Sequence, residues 1–278
     1  MTVLLFTIIL LIGAYAAGLL GSLTGLGGGV VVIPLLTLVF HVDFHYAIGA
    51  ALIASISTSS GSASAYVKEG MTNIRLGMFL EIATTIGAVG GAFIALWTPT
   101  NAIAIIYGVV LIFTAVMQQR RITDHEGVVG SNLARKLKLF GTYPVKGGGV
   151  KSYQLTHVFG GFFTMIAAGV LSGLLGIGSG VLKVVAMDCF MKVPFKVSTT
   201  TSNFMIGVTA VTSAVVYLQR GYIEPGIAFP VMIGVICGAV TGAKLLKQMK
   251  VKVLKRIFAI AILLVAIDMI YNGIAGKF

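Results

Sequence analysis

Gly25-Leu26-Gly27-Gly28-Gly29-Val30 is a glycine-rich break between two apolar runs, and it recurs 151 residues later as Gly176-Ile177-Gly178-Ser179-Gly180-Val181. The same offset holds on both sides of the break. Gly18 meets Gly169, Ser62-Ala63 meets Ser213-Ala214, and Tyr66 and Gly70 meet Tyr217 and Gly221. Further along, Gly87-Ala88-Val89-Gly90-Gly91-Ala92 meets Gly238-Ala239-Val240-Thr241-Gly242-Ala243. Chance does not hold one spacing over so many landmarks, so the chain is an internal repeat.

The solvent of this repeat follows from composition. Hydrophobic residues make up 57% of the 278 and charged residues 10%, against about 25% charged in a soluble domain. A chain this apolar belongs in a bilayer, where backbone groups must bond internally and only helices or closed barrels span. The apolar runs are continuous rather than alternating, which selects helices. The sequence therefore predicts an all-α polytopic membrane protein of two repeats, each with about five helical segments, giving 8–10 transmembrane segments. The segments fall near 3–22, 30–40, 46–66, 75–97 and 102–117, then 153–174, 181–191, 197–217, 226–243 and 257–274. Residues 1–117 form the first membrane repeat, 118–152 a basic linker and 153–278 the second repeat. Residues 3–20 lack the basic start of a signal peptide and read as a mature helix. The second segment of each half covers about half of a 30 Å hydrocarbon core. Whether it crosses or forms a re-entrant hairpin with the first is left open.

Basic residues set the sidedness, because cytoplasmic loops carry the excess Lys and Arg. The linker holds Arg120, Arg121, Arg135, Lys136, Lys138, Lys146 and Lys151, and residues 244–256 hold six more. The first-half counterpart of that second cluster, residues 98–101, has no charge. Equivalent loops then lie on opposite sides, as in an inverted repeat. This topology puts 17 of the 20 basic residues inside and both termini outside a cytoplasmic membrane. The net charge of +12 is thereby assigned to membrane topology and anionic headgroups, not to nucleic acid. Residues 244–256 are expected to form a short interfacial helix.

The candidate site is the pair of breaks. A helix restarting after glycine exposes free N–H groups with partial positive charge, which suits an anion. Paired broken helices in matching positions of two halves point to a transporter's substrate site. Gly27, Gly28 and Gly29, with Gly178, Ser179 and Gly180, are the first candidates; the competing reading is tight helix packing. Gly87 to Gly91 and Gly238 to Gly242 have GxxxG spacing and read as packing. Lys183, where the first half has Val32, is a charge within the membrane and marks a site. The alternative is snorkelling or a pair with Asp188. Thr200, Thr201, Ser202 and Asn203 offer donors at a similar depth, the alternative being capping and interhelical bonds. Glu81 and Asp268 are acids in apolar segments; either is a candidate to take a proton in a coupled cycle, and each is also near enough to a segment end to be interfacial. Cys189 and Cys237 read as small hydrophobes. No metal spacing, catalytic set or nucleotide motif is present, so the chain is read as a non-enzyme without cofactor or metal.

Residues 27–29, with the stretch 30–34 that ends in Pro34, resemble the glycine motif of the TauE/SafE family of sulfite and organosulfonate exporters. Gly178-Ser179-Gly180 resembles its second copy, with Val185 where a proline is common. The family's Ala-x-Gly-Thr-Ser element begins as Ala47-Ile48-Gly49, but Ala50 and Ala51 replace the hydroxyls. In the second half Thr201-Ser202 keep them, with Thr200 in place of the glycine. The resemblance implies transport, and export in particular, of a small sulfur oxyanion or organosulfonate by a secondary carrier. An anion channel of the same fold and a non-transport membrane scaffold are the alternatives. The expected partners are the anionic substrate and the bilayer, with homo-oligomerisation left open.

Overall fold

The computed structural model describes residues 3–68, 70–118, 130–144, 149–245 and 251–276. The charges at 120, 121, 124, 126 and 146 of the linker, and Lys247, Lys250 and Lys277, lie outside the described residues.

In the first half, α1 (Val3–Thr24) runs into the break, α2 (Gly29–Pro34) restarts after it, and α3 (Phe44–Lys68), α4 (Ile74–Trp97) and α5 (Thr100–Gln118) follow. The second half gives α7 (Val158–Leu175), α8 (Gly180–Val185), α9 (Phe195–Gln219), α10 (Pro225–Leu245) and α11 (Val251–Ile274). α2 and α8 each continue through a π-helical turn, Leu35–Val39 and Ala186–Phe190. The starts of α2, α3, α4 and α5 all recur in α8, α9, α10 and α11 at the 151-residue offset. Six helices among the described residues are long and apolar enough to cross a membrane. The chain is an all-α polytopic membrane protein.

The halves do not pack as two separate blocks. α1 packs on α10, and equivalently α7 on α4; α3 meets α10, and α9 meets α4. Each half thus lends its fourth helix to the other. One bundle contains α1, α2, α3 and α10, and the other α4, α7, α8 and α9. The two bundles meet along α3 and α9, while α5 pairs with α11. Small residues make the exchange possible. A Cβ on Gly18 would strike the Val235 backbone and one on Gly238 that of Tyr15, with the same relation between Gly91 and Val170 and between Gly173 and Ala88. In lipid, such close approach takes the place of hydrophobic drive. The GxxxG spacings are therefore packing surfaces, as their pattern indicated.

The linker is more ordered than a loop. Ser131 caps α6 (Asn132–Lys136) by accepting from the Ala134 N–H at 3.2 Å, and β1 (Gly141–Pro144) pairs antiparallel with β2 (Val150–Tyr153). α7 accordingly begins at Val158, five residues later than the apolar segment placed from 153. Leu139, Tyr143, Tyr153 and Leu155 pack with Leu76, Leu80, Met187 and Met191, so this module joins the bundle of α4 and α7–α9. Asn73 ties it down, donating to the Leu139 carbonyl at 2.8 Å and the Tyr153 hydroxyl at 2.7 Å. Burial pushes the Tyr153 phenol up to about 12, against the smaller opposing effect of the Asn73 bond. Of the segment 244–256 expected to form an interfacial helix, 244–245 end α10 and residues from Val251 belong to α11; residues 246–250 lie outside the described residues.

Candidate functional site

Each break turns on left-handed backbone that glycine adopts without strain. Gly25 and Gly27 have φ of +77° and +79°, and their counterparts Gly176 and Gly178 have +69° and +66°. The two breaks touch reciprocally. A Cβ on Gly29 would lie 3.1 Å from the Gly176 carbonyl, and one on Gly180 would collide with the Gly25 carbonyl. The two breaks, 151 residues apart in the sequence, are thus one place in the fold, where the two bundles meet.

The furnishings of the breaks differ. Val30 would normally lend its carbonyl to the N–H of residue 34, but Pro34 has none. The buried Tyr107 hydroxyl donates to that carbonyl at 2.8 Å instead. In the second half Val185 has its N–H, and Phe258, at the position matching Tyr107, has no hydroxyl. Thr58 accepts from the Gly28 N–H at 2.9 Å. Its counterpart Thr209 is engaged differently. The Thr209 hydroxyl accepts from the Lys183 ammonium and donates to Glu81 Oε1 at 2.5 Å. Lys183 Nζ and Glu81 Oε2 lie 3.8 Å apart with both side chains buried. Lys183 therefore neither snorkels nor depends on Asp188 for a charge partner. Glu81 is buried and turned inward from α4, whereas Asp268 sits on the surface of α11 and accepts from Asn272 at 3.1 Å.

The hydroxyl run on α9 divides in two. Thr200 donates to the Met71 and Lys196 carbonyls, Thr201 accepts from the Asn73 N–H at 3.1 Å, and Ser202 donates to the Gly180 carbonyl at 2.9 Å. These three hold α9 to the α3–α4 connection and to the second break. Asn203 is different: it is buried, and neither Oδ1 nor Nδ2 has a partner. Ser179 Oγ and Ser55 Oγ are also buried and unpartnered. Ser179 opens α8 with φ of +43° and makes no capping bond, while Ser55 Oγ lies 2.6 Å from where a Cβ of Gly29 would be. The Asn203 amide faces Gly25, at 3.8 Å from its would-be Cβ. Buried polar groups are ordinarily satisfied, and leaving one unpaired costs about 1–3 kcal/mol. Ile206, one turn beyond Asn203, fills the space between the breaks, its Cγ2 2.7 Å and 3.5 Å from the would-be Cβ atoms of Gly178 and Gly27.

Sequence reasoning missed Thr209 and Ile206, placed Ser55 only among the hydroxyls of the first half, and left Glu81 between a proton-carrying and an interfacial role. The repeat carried a usable signal, since Thr209 matches Thr58, Ile206 matches Ser55 and Lys183 matches Val32. Among the described residues no group of His, Cys, Asp or Glu is arranged to hold a metal.

Long apolar helices, two interrupted helices meeting between exchanged bundles, and unsatisfied polar groups at that meeting point define a membrane transporter. The chain belongs to the family described as "Sulfite exporter TauE/SafE", whose pattern matches residues 9–269. It is similar to the probable membrane transporter protein YunE of Bacillus subtilis, at 29% identity covering 96% of this chain and 98% of the relative. It is also similar to the probable membrane transporter YdhB of the same organism, at 27% identity over 87% and 91% of the two chains. The probable membrane transporter MJ0441 of Methanocaldococcus jannaschii shares 24% identity over 91% of each. No solved structure matches the chain.

Proposed function

We propose that this protein is a secondary carrier that moves a small sulfur oxyanion or organosulfonate, sulfite-like in size and charge, outward across the cytoplasmic membrane. One observation carries this reading. Ser55, Ser179 and Asn203 hold buried polar atoms without partners where the two breaks meet. Two hydroxyls and an amide are the donors that replace the water shell of an oxyanion, and the restarted helices add partial positive charge. Gly27–Gly29 and Gly178–Gly180 let the backbone approach the ligand, and Lys183 supplies the compensating charge.

Access alternates as the bundle of α1, α2, α3 and α10 rocks against that of α4 and α7–α9. With the basic linker inside, both termini face outward. Ile206 between the glycines favours alternation over a standing pore. The test is flux of radiolabelled sulfite into proteoliposomes at alkaline pH, where no neutral form leaks through lipid. Saturable flux above that of empty liposomes is expected. Flux equal to that of empty liposomes contradicts the assignment of sulfite.

A further inference from the structure

The carrier reading leaves one group unused. Glu81 is buried, bonded at Oε1 to Thr209, and unpartnered at Oε2, with the Lys183 ammonium 3.8 Å away. Glu81 and Lys183 form a neutral pair inside the bundle of α4 and α7–α9. Among the described residues, the elements packed on this pair bring no other buried charge. α7 has no titratable side chain. α9 has Lys196 in its first turn and Tyr217 in its last turns, about 20 Å and 12 Å along the helix from Thr209. α5, which touches α8, has Tyr107, bonded to the Val30 carbonyl. Asp188 and Cys189 lie beyond α8 in the π-helical turn. On α4 itself Arg75 lies six residues before Glu81, about 9 Å along the helix, but it is exposed and donates to the Lys138 carbonyl of the linker.

An anion entering beside Ser179 comes within one turn of Lys183 and competes with Glu81 for its ammonium. Three charges would then share one buried site with a net charge of −1, which a low-dielectric interior disfavours strongly. Protonating Glu81 removes the excess, and the bare Oε2 is the place for that proton. We propose that Glu81 is the proton-binding site that makes this carrier an anion–proton cotransporter. The anion takes the Lys183 ammonium, and the Glu81 carboxylate takes one proton from water on the side to which the site is open. On the other side the anion leaves, Lys183 returns to Glu81, and the carboxylic acid gives its proton to water there. Lys183 stays charged throughout, so one monoanion and one proton move together and no net charge crosses. Direction then follows the sum of the anion and proton gradients. Export proceeds when the outward anion gradient exceeds the opposing pH gradient.

The inference rests on the carrier reading, and the experiment separates the two. The probe is radiolabelled methanesulfonate, a strong-acid anion that carries no proton of its own. In wild-type proteoliposomes a pH gradient of one unit, acid outside, should drive accumulation of about tenfold, and an imposed potassium diffusion potential should drive none. Glu81→Gln, neutral like the protonated acid, should lose pH-driven accumulation and keep methanesulfonate exchange. Glu81→Asp should recover part of the accumulation. Wild-type accumulation that follows the potential and ignores the pH gradient overturns the coupling and leaves the carrier standing. Accumulation retained in Glu81→Gln overturns the assignment to Glu81. No flux of methanesulfonate or of any other permanently ionised sulfonate removes the carrier reading for this class, and the coupling with it. If Glu81→Gln does not insert, the wild-type response to the two gradients decides alone.

Discussion

The first break is closed by neutral hydrogen bonds and the second by a charged cluster, although one backbone plan builds both. Thr58 and Thr209 occupy matching positions on α3 and α9, and each stands over the helix that restarts after its break. Thr58 holds a backbone N–H there; Thr209 holds an ammonium and a carboxylate. Val32 and Met232 stand where the other half has Lys183 and Glu81. Duplication thus supplied a symmetric frame, and substitution at a few inward positions concentrated the charge chemistry in one bundle. A symmetric frame suits alternating access, whereas binding a charge needs only one side of it.

Exchanging residues between matching positions tests this difference between the halves. Lys183→Val alone leaves the Glu81 carboxylate buried without its cation and should cost about 3–5 kcal/mol, read as a lowered midpoint of thermal unfolding in detergent. Adding Glu81→Met gives this cluster the residues of the first half and should restore the midpoint, since buried ion pairs are commonly replaceable by apolar residues of similar volume. A double variant as unstable as the single one would show that the cluster has a scaffolding role beyond its charge. The first break has its own dependence. Tyr107→Phe orphans the Val30 carbonyl and should cost about 1–3 kcal/mol, and Pro34→Val in that background should recover part of it by restoring the N–H.

The smallest effect concerns the linker module, which reinforces only the bundle of α4 and α7–α9. The Tyr153 phenol is held above its ordinary value of 10, at about 12, because burial favours the neutral form. Its contribution is complete below pH 10 and is lost as pH rises toward 12. Hydrogen exchange in β1 and β2 should therefore quicken across that window beyond the intrinsic rise, and Tyr153→Phe should remove the extra rise.

The architecture was legible in the sequence because it rests on repetition and apolar run length, both of which survive without knowledge of partners. The ten helices of the repeat fall close to the ten apolar segments. The beginning of α7 was misplaced because Tyr153 and Leu155 extend the apolar run that follows, whereas Tyr153 ends β2 and both side chains pack in the linker module. The site was legible only as backbone. Glycine spacing marked the breaks, but no local pattern tells that the Thr201 hydroxyl accepts from Asn73 while the Asn203 side-chain amide has no partner. That distinction depends on the α3–α4 connection, more than a hundred residues away. Glu81 stayed undecided for the same reason: seven residues into α4 fits an interface position as well as an inward one, and the inward turn is set by packing against α9.

If the polar atoms left unpaired between the breaks bind the transported anion, removing one of them should cost transport and spare the fold. Asn203→Leu makes that separation. Leucine is the residue at the matching position of the first half, Leu52, and it removes an unsatisfied amide without adding charge. The expected result is unchanged or raised thermal stability in detergent together with saturable anion flux in proteoliposomes reduced at least about tenfold, the loss of one charge-assisted hydrogen bond. Wild-type flux with unchanged half-saturation in a stable Asn203→Leu protein would contradict anion binding by these atoms.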